Sequence, residues 1–200
     1  MTTIQQAFES IEHTQTSLGS TSSPDTPQIY VACLAAYNNG YLHGKWIECT
    51  QSADDIREEI AEMLKESPVT KLYGEIAEEW AIHDYQGFEG YNVSEWEDIE
   101  KLAELAEAMS NSDDPEMFTE LLEIRGHSIE EAKEFLEENY RGLHTDLADY
   151  AEELHNDCYE PVPKHLQYYI DWERMGRDME MSGEIFTITT SLGMHVFYNN

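Results

Sequence analysis

The apolar positions along the chain change period several times, and each change predicts an element. Ile29 to Ala36 is an apolar, β-branched run, which predicts a buried strand. Asn38-Asn39-Gly40 predicts a hairpin turn and Tyr41 to Cys49 the returning strand, with Gly44 marking a bulge or a close backbone approach. From Ser52 the period becomes helical. Ile56, Ile60, Met63 and Leu64 share one face, Ser52 and Asp55 form a capping-box-like start, and Pro68 ends the helix after about Glu66. Glu79 to Tyr85 reads as a third strand, broken off by Gly87 and Gly90.

A longer helical stretch follows. Ser94 and Glu97 predict a capping box that opens a helix to about Ser110, with Trp96, Ile99, Leu102, Ala103, Ala106 and Met109 on its inner side. Asp113-Asp114-Pro115 restarts the chain as a helix to Arg125, closed by Gly126. Ser128 and Glu131 predict the next cap, with Ile129, Ala132, Leu136 and Tyr140 inward. Asn139 to His144 is a candidate short strand. Thr145 starts a helix that turns Leu147, Tyr150, Ala151 and Leu154 inward. Pro161 and Pro163 mark a joint, and Lys164 to about Met179 reads as helical, with Leu166, Tyr169, Ile170 and Met175 apolar. Glu184–Thr190 and Met194–Tyr198 alternate around Ser191-Leu192-Gly193, a closing hairpin. Residues 1–27, rich in Ser, Thr and Gln, read as a flexible leader with a short helix at Ile4–Ile11. The class is α+β, with no fixed-period repeat.

The polar positions are unusual in being nearly all acidic. Asp55, Glu59, Glu62 and Glu66 form one helical stripe, and Glu97, Glu100, Glu104 and Glu107 a second. Glu120 with Glu123, then Glu130, Glu134 and Glu137, then Asp146, Asp149 and Glu153, continue the pattern. Asp171, Glu173, Asp178 and Glu180 extend it toward the C-terminal hairpin. From Ser94 to Asp157, 21 Asp and Glu oppose 4 Lys and Arg. The whole chain has 42 against 11, a net charge of −31.

With 40% hydrophobic residues and four Trp this is no disordered acidic tail. Such a charge repels DNA, RNA and anionic membranes, so basic surfaces are the expected partners. Cys33, Cys49 and Cys158 are too widely spaced for a zinc or redox motif and read as reduced thiols. No apolar run reaches the roughly 18 residues of a membrane span, and no secretory signal is evident. A cytoplasmic protein is expected.

Catalytic signatures are absent: no Gly-rich phosphate loop, no Gly-x-Ser-x-Gly, no His-Glu-x-x-His and no EF-hand loop. His83-Asp84 reads as a structural pair more than a hydrolytic or metal site, and the other histidines are scattered. Tyr168, Tyr169 and Trp172 read as core or dimer contact. No cofactor or metal is expected. The acid stripes then have three readings: a solvated face, adaptation to high salt, or display of ordered negative charge. Duplex DNA carries one charge per roughly 1.7 Å of axis, so 31 charges match about 53 Å of it.

Four segments in order resemble the ArdA family of antirestriction proteins. They are Ile29-Tyr30-Val31-Ala32 running to Tyr37-Asn38-Asn39-Gly40 and Gly44-Lys45-Trp46, then Glu79 to Tyr85, Val162 to Trp172, and Gly176 to Gly183. The resemblance implies an elongated, curved α+β protein of three small domains that forms a homodimer. Here these would be 28–96 (antiparallel sheet plus helix), 97–141 (acidic helices) and 142–200 (small sheet plus helices). It implies a non-enzymatic mimic of the bent DNA bound by type I restriction–modification enzymes, with their methyltransferase core as target. The family's antirestriction motif would fall around Tyr159–Trp172, which holds only Glu160 and Asp171 as acids. Two rivals remain at this point: an acidic adaptor or chaperone for another basic protein, and a carboxylate-dependent hydrolase.

Overall fold

A computed structural model describes residues 26–74, 76–126 and 128–199. The expected leader, with its short helix, lies outside them except for its last two residues. The chain is mixed α+β, with two small antiparallel sheets. Strand β1 (Gln28–Cys33) is shorter than expected. Cys33 Sγ accepts from the Ala36 amide at 3.4 Å, and the chain winds into a short helix, α1 (Leu34–Asn38). Asn38-Asn39-Gly40 therefore closes a helix instead of a hairpin, with Asn39 N donating to Ala36 O and Gly40 at φ 81°. The return strand β2 starts only at Gly44 and runs to Glu48. The close approach expected at Gly44 is present: a Cβ there would lie 2.5 Å from the Val31 carbonyl oxygen.

Helix α2 (Ala53–Lys65) has Ser52 as its cap, as the sequence predicts. Pro68 does more than stop it, since it occupies the first turn of a further helix, α3 (Pro68–Tyr73). Strand β3 (Trp80–Gln86) completes the first sheet in the order β2-β1-β3. Helix α4 (Ile99–Ser110) is capped by Asp98, not Ser94. Ser94 and Glu97 still bond, amide to carboxylate at 3.2 Å, but they close a separate turn. Trp96 is thereby left out of the helix. It is 64% exposed and not on the apolar face where its spacing put it.

Helix α5 (Pro115–Arg125) runs from the Asp114 cap to Gly126 at φ 61°, and α6 (Ile129–Asn139) opens with a reciprocal Ser128–Glu131 capping box. Both follow the sequence. So does the short strand β4 (Tyr140–His144). Helix α7 (Leu147–Cys158) is capped by Asp146, one residue after the expected Thr145.

The predicted Lys164–Met179 helix forms only in its second half. A single 3-10 turn at Gln167–Tyr169 precedes α8 (Trp172–Met181), which Asp171 caps. Leu166 and Tyr169 are exposed, so the helical spacing has no apolar surface to bury itself on, and burial is what sustains most helices. Tyr168, 94% exposed, and Tyr169, 84% exposed, are not core residues. The closing hairpin is as expected, β5 (Ile185–Thr189) and β6 (Met194–Tyr198), and the second sheet has the order β4-β6-β5. Among the described residues no helix is long and apolar enough to cross a membrane.

One apolar cluster joins Ile29, Val31 and Ile47 of the first sheet to Ile60 of α2, Leu105 of α4 and Phe118 of α5. The acidic helices are therefore anchored to that sheet by their inner faces. At the other end Tyr150, Met179, Ile185 and Val196 form a smaller cluster. There α7 and α8 cross at Gly176, where an added Cβ would press on the Leu147 carbonyl group. Helix propensity alone favours Ala over Gly by about 1 kcal/mol. The backbone contact outweighs it, so Gly176→Ala is expected to lower stability by about 1–3 kcal/mol. A urea unfolding midpoint above that of the wild type would refute the close crossing.

Between the two ends lies a buried polar network. Asp114 caps α5 through the Met117 amide. Its Oδ2 accepts from Thr190 Oγ1 at 2.6 Å and from His195 Nε2 at 2.9 Å. With that proton on Nε2, His195 Nδ1 accepts from the Tyr140 hydroxyl at 2.9 Å. Burial raises the Asp114 carboxyl, but these donors outweigh it and hold the group below the usual carboxylate range. Burial beside Asp114 and Asp113 pushes the Tyr140 hydroxyl up.

Candidate functional site

The acid stripes emerge from the fold as helix faces pointing to water. On α2, Asp55 and Glu62 are exposed, as is its C-cap Glu66. Glu59 is drawn partly inward by Lys45 at 2.5 Å and Gln51 at 2.7 Å. Burial raises its carboxyl, and these two partners more than reverse that. On α4, Glu100, Glu104 and Glu107 are exposed, while Glu97 is half-buried against Lys101 at 2.9 Å. Arg57 reaches from α2 to Glu100, and its hydrogen bond, seconded by Asp98, pulls the Glu100 carboxyl down to about 2.

Glu120 and Glu123 of α5 and Glu130, Glu134 and Glu137 of α6 are all exposed. Glu123 accepts from Asn92 at 3.4 Å. On α7, Asp146 serves as the cap, Asp149 accepts from the Thr145 amide at 3.0 Å, and Glu153 lies 3.4 Å from His144. On α8, Asp171 is the cap, and Glu173 and Asp178 pair with Arg177 and Arg174 at 3.5 and 3.8 Å. Glu180 turns onto the Thr187 hydroxyl at 2.7 Å.

The side chains of Glu62, Glu66, Glu104, Glu107, Glu120, Glu130, Glu134 and Glu137 have no hydrogen bond or ion pair among the described residues. These acids lie on α2, α4, α5 and α6. Helix α4 packs on each of the other three, and α5 on α6. Two of the few bases are engaged by aromatic rings. Arg125 is stacked between Phe135 and Phe186, 4.6 and 4.5 Å from their centroids, and donates to Asn199 at 2.8 Å. Arg141 lies 4.1 Å over Tyr198 and donates to the Tyr140 and Glu138 carbonyls. What the arrangement offers is an array of exposed, poorly neutralised carboxylates on a packed scaffold.

Other candidates are less organised. His83 meets Tyr37 edge to face at 5.1 Å, and Asp84 accepts from the Tyr85 amide. Among the described residues no group of three or more His, Cys, Asp or Glu side chains is arranged to hold a metal ion. Cys33 and Cys49 are buried and Cys158 is exposed, all as free thiols.

The family model for antirestriction protein (ArdA) matches residues 29–193. The chain belongs to the ArdA family. No curated protein sequence matches it. The match runs from β1 to the turn between β5 and β6, so the ArdA region includes every acidic helix face described above. Of the segments that suggested ArdA, the first is β1 through β2, the second is β3, and the fourth lies on α8 and the turn after it. The third, Val162 to Trp172, is mostly irregular and exposed up to the start of α8.

Sequence reasoning about this ArdA chain missed the acids outside the helical stripes. Glu78, Glu79 and Asp98 are exposed beside Trp80 and Trp96 in one cleft. The available signal was the pairing of two Trp with flanking acids, Glu78-Glu79-Trp80 and Glu95-Trp96-Glu97.

Proposed function

We propose that this antirestriction protein acts by DNA mimicry: its carboxylate array enters the DNA groove of a type I restriction–modification enzyme and blocks it. Membership of the ArdA family implies antirestriction. The observation that supports mimicry is the set of exposed, unpaired glutamates on four helices that share one core. A packed scaffold matters because helices already held in place by one core need no backbone ordering on binding. The protein works by occupancy and not by turnover. Its target is the methyltransferase core, whose DNA groove supplies the lysines and arginines. We assign it an elongated, dimeric form in which two arrays double the charged length.

The test is competition. Purified protein is titrated into a type I methyltransferase core bound to labelled specific DNA, at two salt concentrations. Near-stoichiometric displacement is expected at low salt, weakening steeply as salt screens the contacts. A core that binds DNA competently and keeps it at every protein concentration would refute the proposal.

A further inference from the structure

Trp80 and Trp96 open onto a cleft of about 600 Å³ between α2, α4 and the start of β3. We propose that this cleft is a socket for an arginine side chain of the basic partner. The inference rests on the mimicry reading and adds to it a single anchoring point within an otherwise collective surface.

The walls are aromatic. Trp80 is half-buried and packs on the main core, while Trp96 is largely exposed. An exposed Trp in water is costly, and the fold holds this one in place. The Glu95 carbonyl accepts from the Ile82 amide at 3.0 Å, which ties the turn to β3. Within the turn, the Trp96 amide donates to Ser94 Oγ at 3.4 Å and the Glu97 amide to the Ser94 carbonyl at 3.1 Å. Lys101 braces Glu97 from α4. On the far side Arg57 clamps α2 to α4 through Glu100. The cleft is thus built before any partner arrives.

Its rim is anionic. Glu78 and Glu79 carry no side-chain hydrogen bond or ion pair among the described residues. The one base in the lining, Arg57, is already engaged by Glu100 and Asp54. Two indoles plus free carboxylates select a planar, weakly hydrated cation that can stack and donate forked hydrogen bonds at once. That is a guanidinium, and an ammonium fits it less well. A DNA phosphate groove is where such arginines are found.

The experiment compares wild type, Trp96→Ala and Trp96→Phe for displacement of DNA from the methyltransferase core at two salt concentrations. Trp96→Ala is expected to bind about ten- to thirtyfold more weakly at both, because stacking is less screened than surface charge. Trp96→Phe should recover part of the loss. Binding of Trp96→Ala within twofold of a wild type that does displace DNA would overturn the socket and leave mimicry standing. A wild type that displaces nothing would remove mimicry and the socket with it. An altered sedimentation coefficient for Trp96→Ala would give the cleft to a second copy of this chain and overturn the proposal.

A second measurement is independent of the variants' folding. The indole resonances of the wild type are followed by NMR during titration with N-acetyl-arginine amide or its lysine counterpart. One or two indoles shifting with arginine and little with lysine is the expected result; equal response to both, or none, overturns it.

Discussion

Replacing Glu104, Glu107, Glu130, Glu134 and Glu137 together with Gln is expected to weaken binding to the methyltransferase core by about fifty- to a hundredfold. Each alone should change it by no more than about threefold. The reasoning is additive. An exposed carboxylate contributes roughly 0.5 kcal/mol to a charged contact, and five such terms give about 2.5 kcal/mol. All five side chains are exposed and lack an internal partner among the described residues, so their removal breaks nothing inside the fold. Stability should move the other way. Glu130 and Glu134 are four residues apart on α6, and each relieved repulsion of this kind returns a few tenths of a kcal/mol. Binding falls while the melting temperature holds or rises. One glutamate whose loss alone abolishes binding, with melting unchanged, would contradict a collective surface.

Asp114→Ala is expected to cost about 3 kcal/mol of stability, a large effect for one polar side chain. The change removes the cap of α5 and strands the Thr190 hydroxyl, the Met117 amide and His195 Nε2 in a buried site. At about 2–4 °C per kcal/mol for a chain of this size, the melting temperature should fall by about 6–12 °C. The pH dependence has a definite sign. The folded carboxyl is held below its ordinary value, so its contribution is complete above the unfolded value near 3.9 and disappears as pH falls through the folded one. The stability gap between wild type and Asp114→Asn should therefore be widest near neutrality and narrow below about pH 4. Urea titrations at several pH values test this, and a gap that widens on acidification would reverse the assignment.

What the sequence made legible was local. The Ser52 and Ser128 caps, the Pro115 start, the Gly126 stop and the hairpin around Gly193 depend on residues within a few positions of one another. The outward direction of most acids was legible for the same reason, since charge seeks water whatever the distant chain does. Long-range partners decided the remainder. Glu59 bends inward because Lys45 comes from β2, and Glu180 because Thr187 lies on β5. Trp96 has the spacing of a core residue, yet the Asp98 cap starts the helix after it. Asp114 and His195 are 81 residues apart, and nothing local announces their meeting. The stretch before Trp172 misled in the opposite sense: its apolar spacing is helical, but the fold brings no surface to receive it.

The stacking of Arg125 between two phenylalanines has a consequence for the thermodynamics of binding. A base used as packing is lost to the surface as an internal counter-charge. Neutralising the unpaired carboxylates of α4, α5 and α6 would then fall to mobile cations from the surrounding solution. A partner's lysines and arginines would displace those cations into the bulk. On the mimicry proposed above, the drive for association would be largely the entropy of released ions.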